Sequence, residues 1–414
     1  MHILYVIPRY GAQFTSNETH GELVRELQHL GVQVDILSFT TRANSSGPAG
    51  WNAGFGSERV YRHVQGGHLI ERLLGPLARG LLHYEFFFAM LAGYLAIARR
   101  GYDIIHIEGT FPLGAIAALA DRLVQRPVLI TTTGGDLFRL PGQDYGYGNY
   151  VIPRQLIKLA LRQATHVRAN STLSARLVAG YGTAPQRITV LPVSIADICF
   201  PPADQPLDAY RAACRATLSA QHGWNDRPLL VCVGRLMALK AQELLIEALP
   251  AIIARLGPVQ ACIIGPSRAD SERGDYRDYL QRRANELGVA AYCTFTGYVP
   301  LAHVRDYLAA ADLLVVPSRI EGLNRVVMEA GAVGTPAVVS DGAGAAELVV
   351  RYHSGLVTPT GSVPALAHAI VRLLASPRAL SECRTQALTL GSDHAAPAVA
   401  ARLVAIYRAL ERGT

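Results

Sequence analysis

The feature that most constrains this chain is an alternation of short apolar runs with longer helix-patterned stretches, sustained along nearly its whole length. The first half reads as strand 3–7, helix 18–30, strand 32–39, strand 60–64, helix 70–99, strand 103–107, helix 113–124 and strand 127–132. A Gly-rich loop to Tyr150 follows, then helix 153–163, strand 165–169, helix 171–180 and strand 188–191. Strands separated by helical crossovers pair in parallel, and the helices cover both faces of the sheet. "CFPPADQP" then gathers Pro201, Pro202 and Pro206 into one short stretch, which reads as a linker. A second alternation begins: strand 229–233, helix 241–255, strand 259–264, helix 276–287, strand 292–296, helix 301–310, strand 312–316, helix 324–333 and strand 336–340. The expected class is α/β, two doubly wound domains in series, with a ligand cleft between the carboxyl ends of their sheets.

Length and composition fit that reading. A chain of 414 residues has room for two or three domains, and half hydrophobic with 17% charged residues describes ample core. No basic leader and cleavage site precede the first strand, and none of the six cysteines forms a Cys-x-x-Cys pair. A reducing, cytoplasmic setting is expected. The net charge is +7, and residues 1–200 carry 18 Lys and Arg against 13 Asp and Glu. That excess suits an anionic partner but is too diffuse for nucleic acid. Gly80–Ala98 is long and apolar enough to raise a membrane span, yet it holds His83 and Glu85 and lies between strands of one sheet. A buried crossover helix is expected instead.

Two segments carry chemistry. In "ADLLVVPSRIEGLNRVVMEAGAVGTPAVVS" a buried strand ends at Pro317, a loop holds Glu321 and Gly322, and a helix is expected from Asn324. Helix-start N–H groups attract phosphate, and Gly322 allows close approach. Glu329 sits among apolar residues, where a carboxylate needs a partner; a sugar hydroxyl would serve. A helix-start glutamate favoured by the macrodipole is the plainer alternative. In "VCVGRLMALKAQELLIEAL" Arg235 lies in a loop and Lys240 at a helix start, where a cation opposes the macrodipole. Only two of the 39 basic residues are lysines, Lys158 and Lys240, so lysine persists here against the chain's habit.

In this order, Gly234-Arg235, Lys240, then Glu321 and Glu329 resemble the retaining nucleotide-sugar glycosyltransferases of family 4, which have the GT-B fold of two Rossmann-like domains. "GAGAAELV", "SGLVTP", "YDIIHIEG" and "THVRANSTLSARL" extend the resemblance along most of the chain. It implies an N-terminal acceptor domain over 1–198, completed by a C-terminal helix at about 395–414, and a donor domain over 199–394. It implies that Arg235 and Lys240 bind the donor diphosphate, that Glu321 contacts the donor sugar, and that Glu329 contacts the ribose. The backbone at Gly234, Gly322, Leu323 and Asn324 would face sugar or phosphate. Gly11, His106, Thr133 and Gly134 would line the acceptor or sugar side, and Asp136 would orient hydroxyls. Departures are specific: Thr133 stands where the family has histidine, Ala241 where glycine follows the lysine, and Gly11-Ala12 where a glycine pair is usual.

The expected reaction moves a hexose-type sugar from a UDP- or GDP-sugar to a saccharide or lipid-linked acceptor, in polysaccharide or glycolipid synthesis. Retention follows from the resemblance. Arg235, Lys240 and the helix start at Asn324 would stabilise the departing diphosphate. No Asp-x-Asp occurs, so no metal and no further cofactor are expected. Rival readings are a hydrolase using Glu321 and Glu329, an epimerase of the same fold, and an inactive nucleotide-sugar-binding subunit. Eight residues of helix rise about 12 Å, against about 5 Å between the carboxylates of a retaining glycosidase. A Gly-x-Gly-x-x-Gly after the first strand and a P-loop are both absent, which argues against a dehydrogenase and an ATPase. Arg72, Arg79, Arg99 and Arg100 border Gly80–Ala98, so reversible binding to the inner face of an anionic membrane is a further expectation.

Overall fold

The computed structural model describes residues 1–8, 10, 16–41, 50–53, 59–65, 69–140, 145–224, 226–270 and 273–412. The chain divides into two compact units, Met1–Ser194 with Ala396–Thr414, and Ile195–Ala395.

The first unit runs β1 (His2–Ile7), α1 (Ser16–His29), β2 (Gln33–Thr41), β3 (Gly50–Ala53), β4 (Arg59–Gln65), α2 (Leu69–Leu82), α3 (Phe87–Ala98) and β5 (Ile104–Glu108). It continues with α4 (Ala115–Val124), β6 (Val128–Thr131), α5 (Val151–Gln163), β7 (His166–Ala169), α6 (Thr172–Gly180) and β8 (Ile188–Val190). The strands order as β3-β4-β2-β1-β5-β6-β7-β8, parallel throughout except for the edge pair β3–β4. Residues 3–7 are fully buried, as a strand covered on both faces requires. One face packs on α3 and α4, through Met90, Tyr94, Ile97 and Ile116. The other packs on α1 and on the C-terminal helix Ala396–Arg412, through Val24, Val399, Leu403 and Tyr407.

The second unit runs α7 (Leu207–His222), β9 (Leu229–Val233), α8 (Gln242–Leu256), β10 (Gln260–Ile264), a short hairpin of β11 (Ala269–Asp270) and β12 (Gly274–Asp275), α9 (Tyr276–Glu286) and β13 (Cys293–Gly297). Then come α10 (Leu301–Ala310), β14 (Leu313–Val316), α11 (Val326–Ala332), β15 (Ala337–Ser340), α12 (Ala346–Tyr352), β16 (Gly355–Thr358), α13 (Val363–Leu374) and α14 (Pro377–Asp393). The six strands order as β13-β10-β9-β14-β15-β16, all parallel. The C-terminal helix Ala396–Arg412 is α15.

Two expectations change. The helix expected over 70–99 is two helices, bent by 110° and joined through His83 at φ 54°. Most of α3 is buried, so the apolar run is core, and among the described residues no single helix is long and apolar enough to cross a membrane. The helix expected from Asn324 starts at Val326, because Asn324 has a left-handed φ of 75° that a helix cannot accommodate. All six cysteines are free, and four of them are buried.

Candidate active site

In an open parallel sheet, ligands bind beyond the strand carboxyl ends where the strand order reverses. In the second unit that point lies between β9 and β14, and the two motif loops leave those strands.

After β9 the chain makes a close crossing. Gly234 has φ 148° and Gly265 φ 143°, and a Cβ on Gly265 would stand 2.0 Å from the Gly234 carbonyl oxygen. Only glycine fits there. The Gln242 amide donates to the Arg235 carbonyl at 2.9 Å, leaving the Arg235 side chain exposed. Lys240 precedes α8, and Ala241 takes a left-handed φ of 53°, which explains why glycine is the usual residue at that step.

After β14 the loop is pinned to the next one. The Glu321 N–H donates to the Gly342 carbonyl at 3.1 Å, and the Gly344 N–H donates back to the Glu321 carbonyl at 2.9 Å. Leu323 is buried and accepts from the Ala345 N–H at 2.6 Å. These bonds hold Gly322 between two anchored residues.

The loops meet in an ion pair: Lys240 Nζ donates to Glu321 Oε1. The other oxygen of Glu321 accepts from Asn324 Nδ2 at 2.7 Å and from Ser318 Oγ at 3.2 Å. Left-handed Asn324 therefore clamps the carboxylate, a task its backbone conformation permits. Glu329 is buried, but its need for a partner is met within the protein: Arg325 Nε donates to it at 2.7 Å. Contrary to the expectation from its apolar surroundings, Glu329 needs no ligand to satisfy it.

Nearby is a group the motifs did not reveal. Buried Glu243 accepts from Tyr276 Oη at 2.6 Å and from Arg319 at 2.5 Å. Its sequence signal was faint, since an acid in the first turn of a helix is commonplace. Burial pushes the Cys232 thiol up to about 12; Lys240 opposes that shift, while Glu243 and Glu321 add to it.

In the first unit, Thr133, Gly134 and Asp136 share one turn. Gly134 is buried with φ 92°. Thr133 Oγ1 donates to Asp136 Oδ1 at 3.1 Å, and the Thr110 N–H donates to Asp136 Oδ2 at 2.5 Å. Asp136 thus ties the loop after β6 to the turn after β5. Thr133 and Asp136 line a cavity of about 410 Å³ with Phe111, Tyr145, Tyr147 and the His83–Tyr150 ring stack. His106 is fully buried, with Tyr407 Oη at 2.6 Å and Thr131 Oγ1 at 2.7 Å from its ring nitrogens. Burial, then Arg168, holds its pKa well below the usual range, so it is a neutral core group with no surface to offer a ligand. Gly11 and Ala12 lie outside the described residues. Among the described residues no group of three or more His, Cys, Asp or Glu side chains is placed to hold a metal ion.

Comparisons with known proteins agree with this arrangement. Residues 215–389 match the family described as glycosyl transferases group 1, and residues 16–194 match the glycosyl transferase 4-like domain. The GDP-mannose-dependent alpha-(1-6)-phosphatidylinositol monomannoside mannosyltransferase of Mycolicibacterium smegmatis is 30% identical over 68% of this chain and 70% of its own. The D-inositol 3-phosphate glycosyltransferase 1 of Catenulispora acidiphila is 30% identical over 95% of this chain and 90% of its own. Among solved structures, sucrose-phosphate synthase from Thermosynechococcus elongatus has a TM-score of 0.75 at 22% identity and covers both chains fully. Anabaena HepE in complex with UDP-glucose has a TM-score of 0.71 at 18% identity, over 99% of this chain and all of its own. Two matched family domains, relatives along nearly the full length and two parallel-sheet units make this chain a GT4-type glycosyltransferase of the GT-B fold, which transfers a sugar from a nucleotide-sugar donor.

Proposed function

We propose that this enzyme moves a hexose from a UDP- or GDP-sugar to a lipid-linked saccharide or polyol, with retention at the anomeric carbon, in glycolipid or cell-surface polysaccharide synthesis. The observation that carries the reading is the Lys240–Glu321 pair at the point where the strand order reverses. An incoming diphosphate is a stronger partner for Lys240 than one carboxylate. It would draw Lys240 away from Glu321 and free Glu321 Oε1 to accept from a sugar hydroxyl, so donor binding itself would arm the sugar contact. Arg235 and Lys240 then stabilise the charge that develops on the departing diphosphate. Glu329, steadied by Arg325, takes the ribose. Asp136, fixed by Thr133 and Thr110, orients hydroxyls of sugar or acceptor. No metal is needed in this scheme, because the leaving group's charge is met by cationic side chains.

The names of the relatives narrow the first trials to GDP-mannose with phosphatidylinositol mannoside and to inositol phosphate acceptors. The test is a matrix of UDP- and GDP-sugars against these acceptors, with and without EDTA. Product is expected with one donor base, unchanged by EDTA, and with the donor's anomeric configuration by NMR. Release of free sugar whatever the acceptor would instead identify a hydrolase, and inversion would overturn the retaining assignment.

A further inference from the structure

The apolar run that drew attention in the sequence is buried in α3, but the helix before it is not. On α2, Leu69, Leu73, Leu77 and Leu81 recur every fourth residue and are 72%, 68%, 52% and 48% exposed. A spacing of four keeps them on one face of the helix. Gly75, Ala78 and Leu82, on the opposite face, are buried against the unit. At the start of α5, Val151 and Ile152 are exposed as well. The His83–Tyr150 stack, with ring centroids 3.6 Å apart, joins the two sites, since His83 lies two residues after Leu81 and Tyr150 precedes Val151. Half of the large exposed hydrophobic residues in the described chain therefore lie on one surface. A contiguous patch of this kind marks an interaction site.

Its charge selects the partner. Arg72 and Arg79 are exposed on α2 and Lys158 on α5. The acids beside it are Glu71, which is half-buried and engaged toward the buried side of α2, and Glu85, which pairs with Arg79 and leaves Arg72 and Lys158 as the excess cations. Leucines on one face with cations beside them are what an anionic lipid interface accepts: apolar side chains enter the acyl boundary while guanidinium and ammonium groups meet phosphate. The same ring stack lines the 410 Å³ cavity that holds Thr133 and Asp136. We propose that the exposed face of α2, with Val151 and Ile152, seats the protein on an anionic phospholipid surface and presents that cavity to the headgroup of an amphiphilic acceptor. The headgroup part rests on the acceptor reading above.

The test uses the full chain and a Leu73→Glu/Leu77→Glu variant. Both positions are solvent-facing, so melting temperature should hold. Co-sedimentation is measured with phosphatidylcholine vesicles with and without phosphatidylglycerol, at low and high salt. The wild type should bind the phosphatidylglycerol vesicles at low salt, and lose at least tenfold in binding at high salt or on neutral vesicles. The variant should lose at least tenfold on phosphatidylglycerol vesicles while UDP or GDP binding, followed by calorimetry, is unchanged. Equal binding by variant and wild type, or none by the wild type, would overturn the docking surface. So would sedimentation velocity showing a wild-type dimer that the variant converts to monomer with no vesicle binding, since the partner would then be a second copy. Vesicle binding with no transfer to any amphiphilic acceptor would leave the surface standing and sink the acceptor reading instead.

Discussion

At the scale of single residues, the site is a set of charges held in readiness by neighbours. Lys240→Ala should weaken donor binding by roughly 1.5–3 kcal/mol, the worth of a hydrogen bond to a charged group, and slow turnover with little change in melting temperature. Isothermal titration with the nucleoside diphosphate checks it, and unchanged affinity in a folded variant would remove Lys240 from the site. The two glutamates should separate. Glu329→Gln should raise the nucleoside diphosphate Kd, whereas Glu321→Gln should leave it level or lower it, because Lys240 is then released from its ion pair. Equal losses in both variants would show the roles to be misassigned. In the first unit, Thr133→Val removes the hydroxyl that holds Asp136 and should lower turnover about fivefold, the kinetic equivalent of about 1 kcal/mol, at unchanged nucleotide affinity. These residues were legible in the sequence to different degrees. Arg235, Lys240, Glu321 and Glu329 announce themselves by order and spacing. The Lys240–Glu321 contact does not, because nothing local couples residues so far apart in the chain. Glu243 was invisible for a related reason: its partners Tyr276 and Arg319 come from two other segments.

At the scale of elements, periodicity located most strands and helices, and it failed where tertiary packing decides. The Gly75-Pro76 and Gly80 breaks lie inside α2 and the apolar pattern resumes at once after Glu85, so the punctuation does not mark the bend at His83. Helix α7 went unread because its apolar positions are spaced among many polar ones, and it acquires a buried face only by packing on α10. The start of α11 was misplaced because Asn324 reads as a helix-start residue while the fold uses it left-handed. Glycine decides the local path at one such place that periodicity does not mark. The crossing of Gly234 and Gly265 sets where the loop after β9 turns toward the site. Gly265→Ala should cost about 1–3 kcal/mol through overpacking alone, with backbone strain added. Thermal unfolding should show a lower melting temperature, with weaker nucleotide binding beside it. A Gly265→Ala protein of wild-type stability would mean that the crossing relaxes easily and does not fix the loop.

At the scale of the whole molecule, the two units are built differently. The second is continuous from Ile195 to Ala395, while the first borrows α15 from beyond it. That helix supplies Val399, Leu403 and Tyr407 to the core beneath β1, and the Tyr407 hydroxyl to His106. Deleting 396–412 should therefore strip the first unit of one sheet cover and leave the second intact. Calorimetry is expected to show loss of one thermal transition, with nucleoside diphosphate affinity retained; retention of both transitions would show that α15 is dispensable. The same arrangement sets an order of events on the ribosome. Domains fold as units while synthesis proceeds at about 5–20 residues per second. The second unit has all its parts once Ala395 has emerged, but the older strands of the first unit must wait, one apolar face uncovered, until α15 follows. The wait spans the synthesis of the whole second unit, Ile195–Ala395, on the order of ten seconds or more at those rates; the first unit stays unfinished throughout, and it is where a chaperone would be expected to hold on.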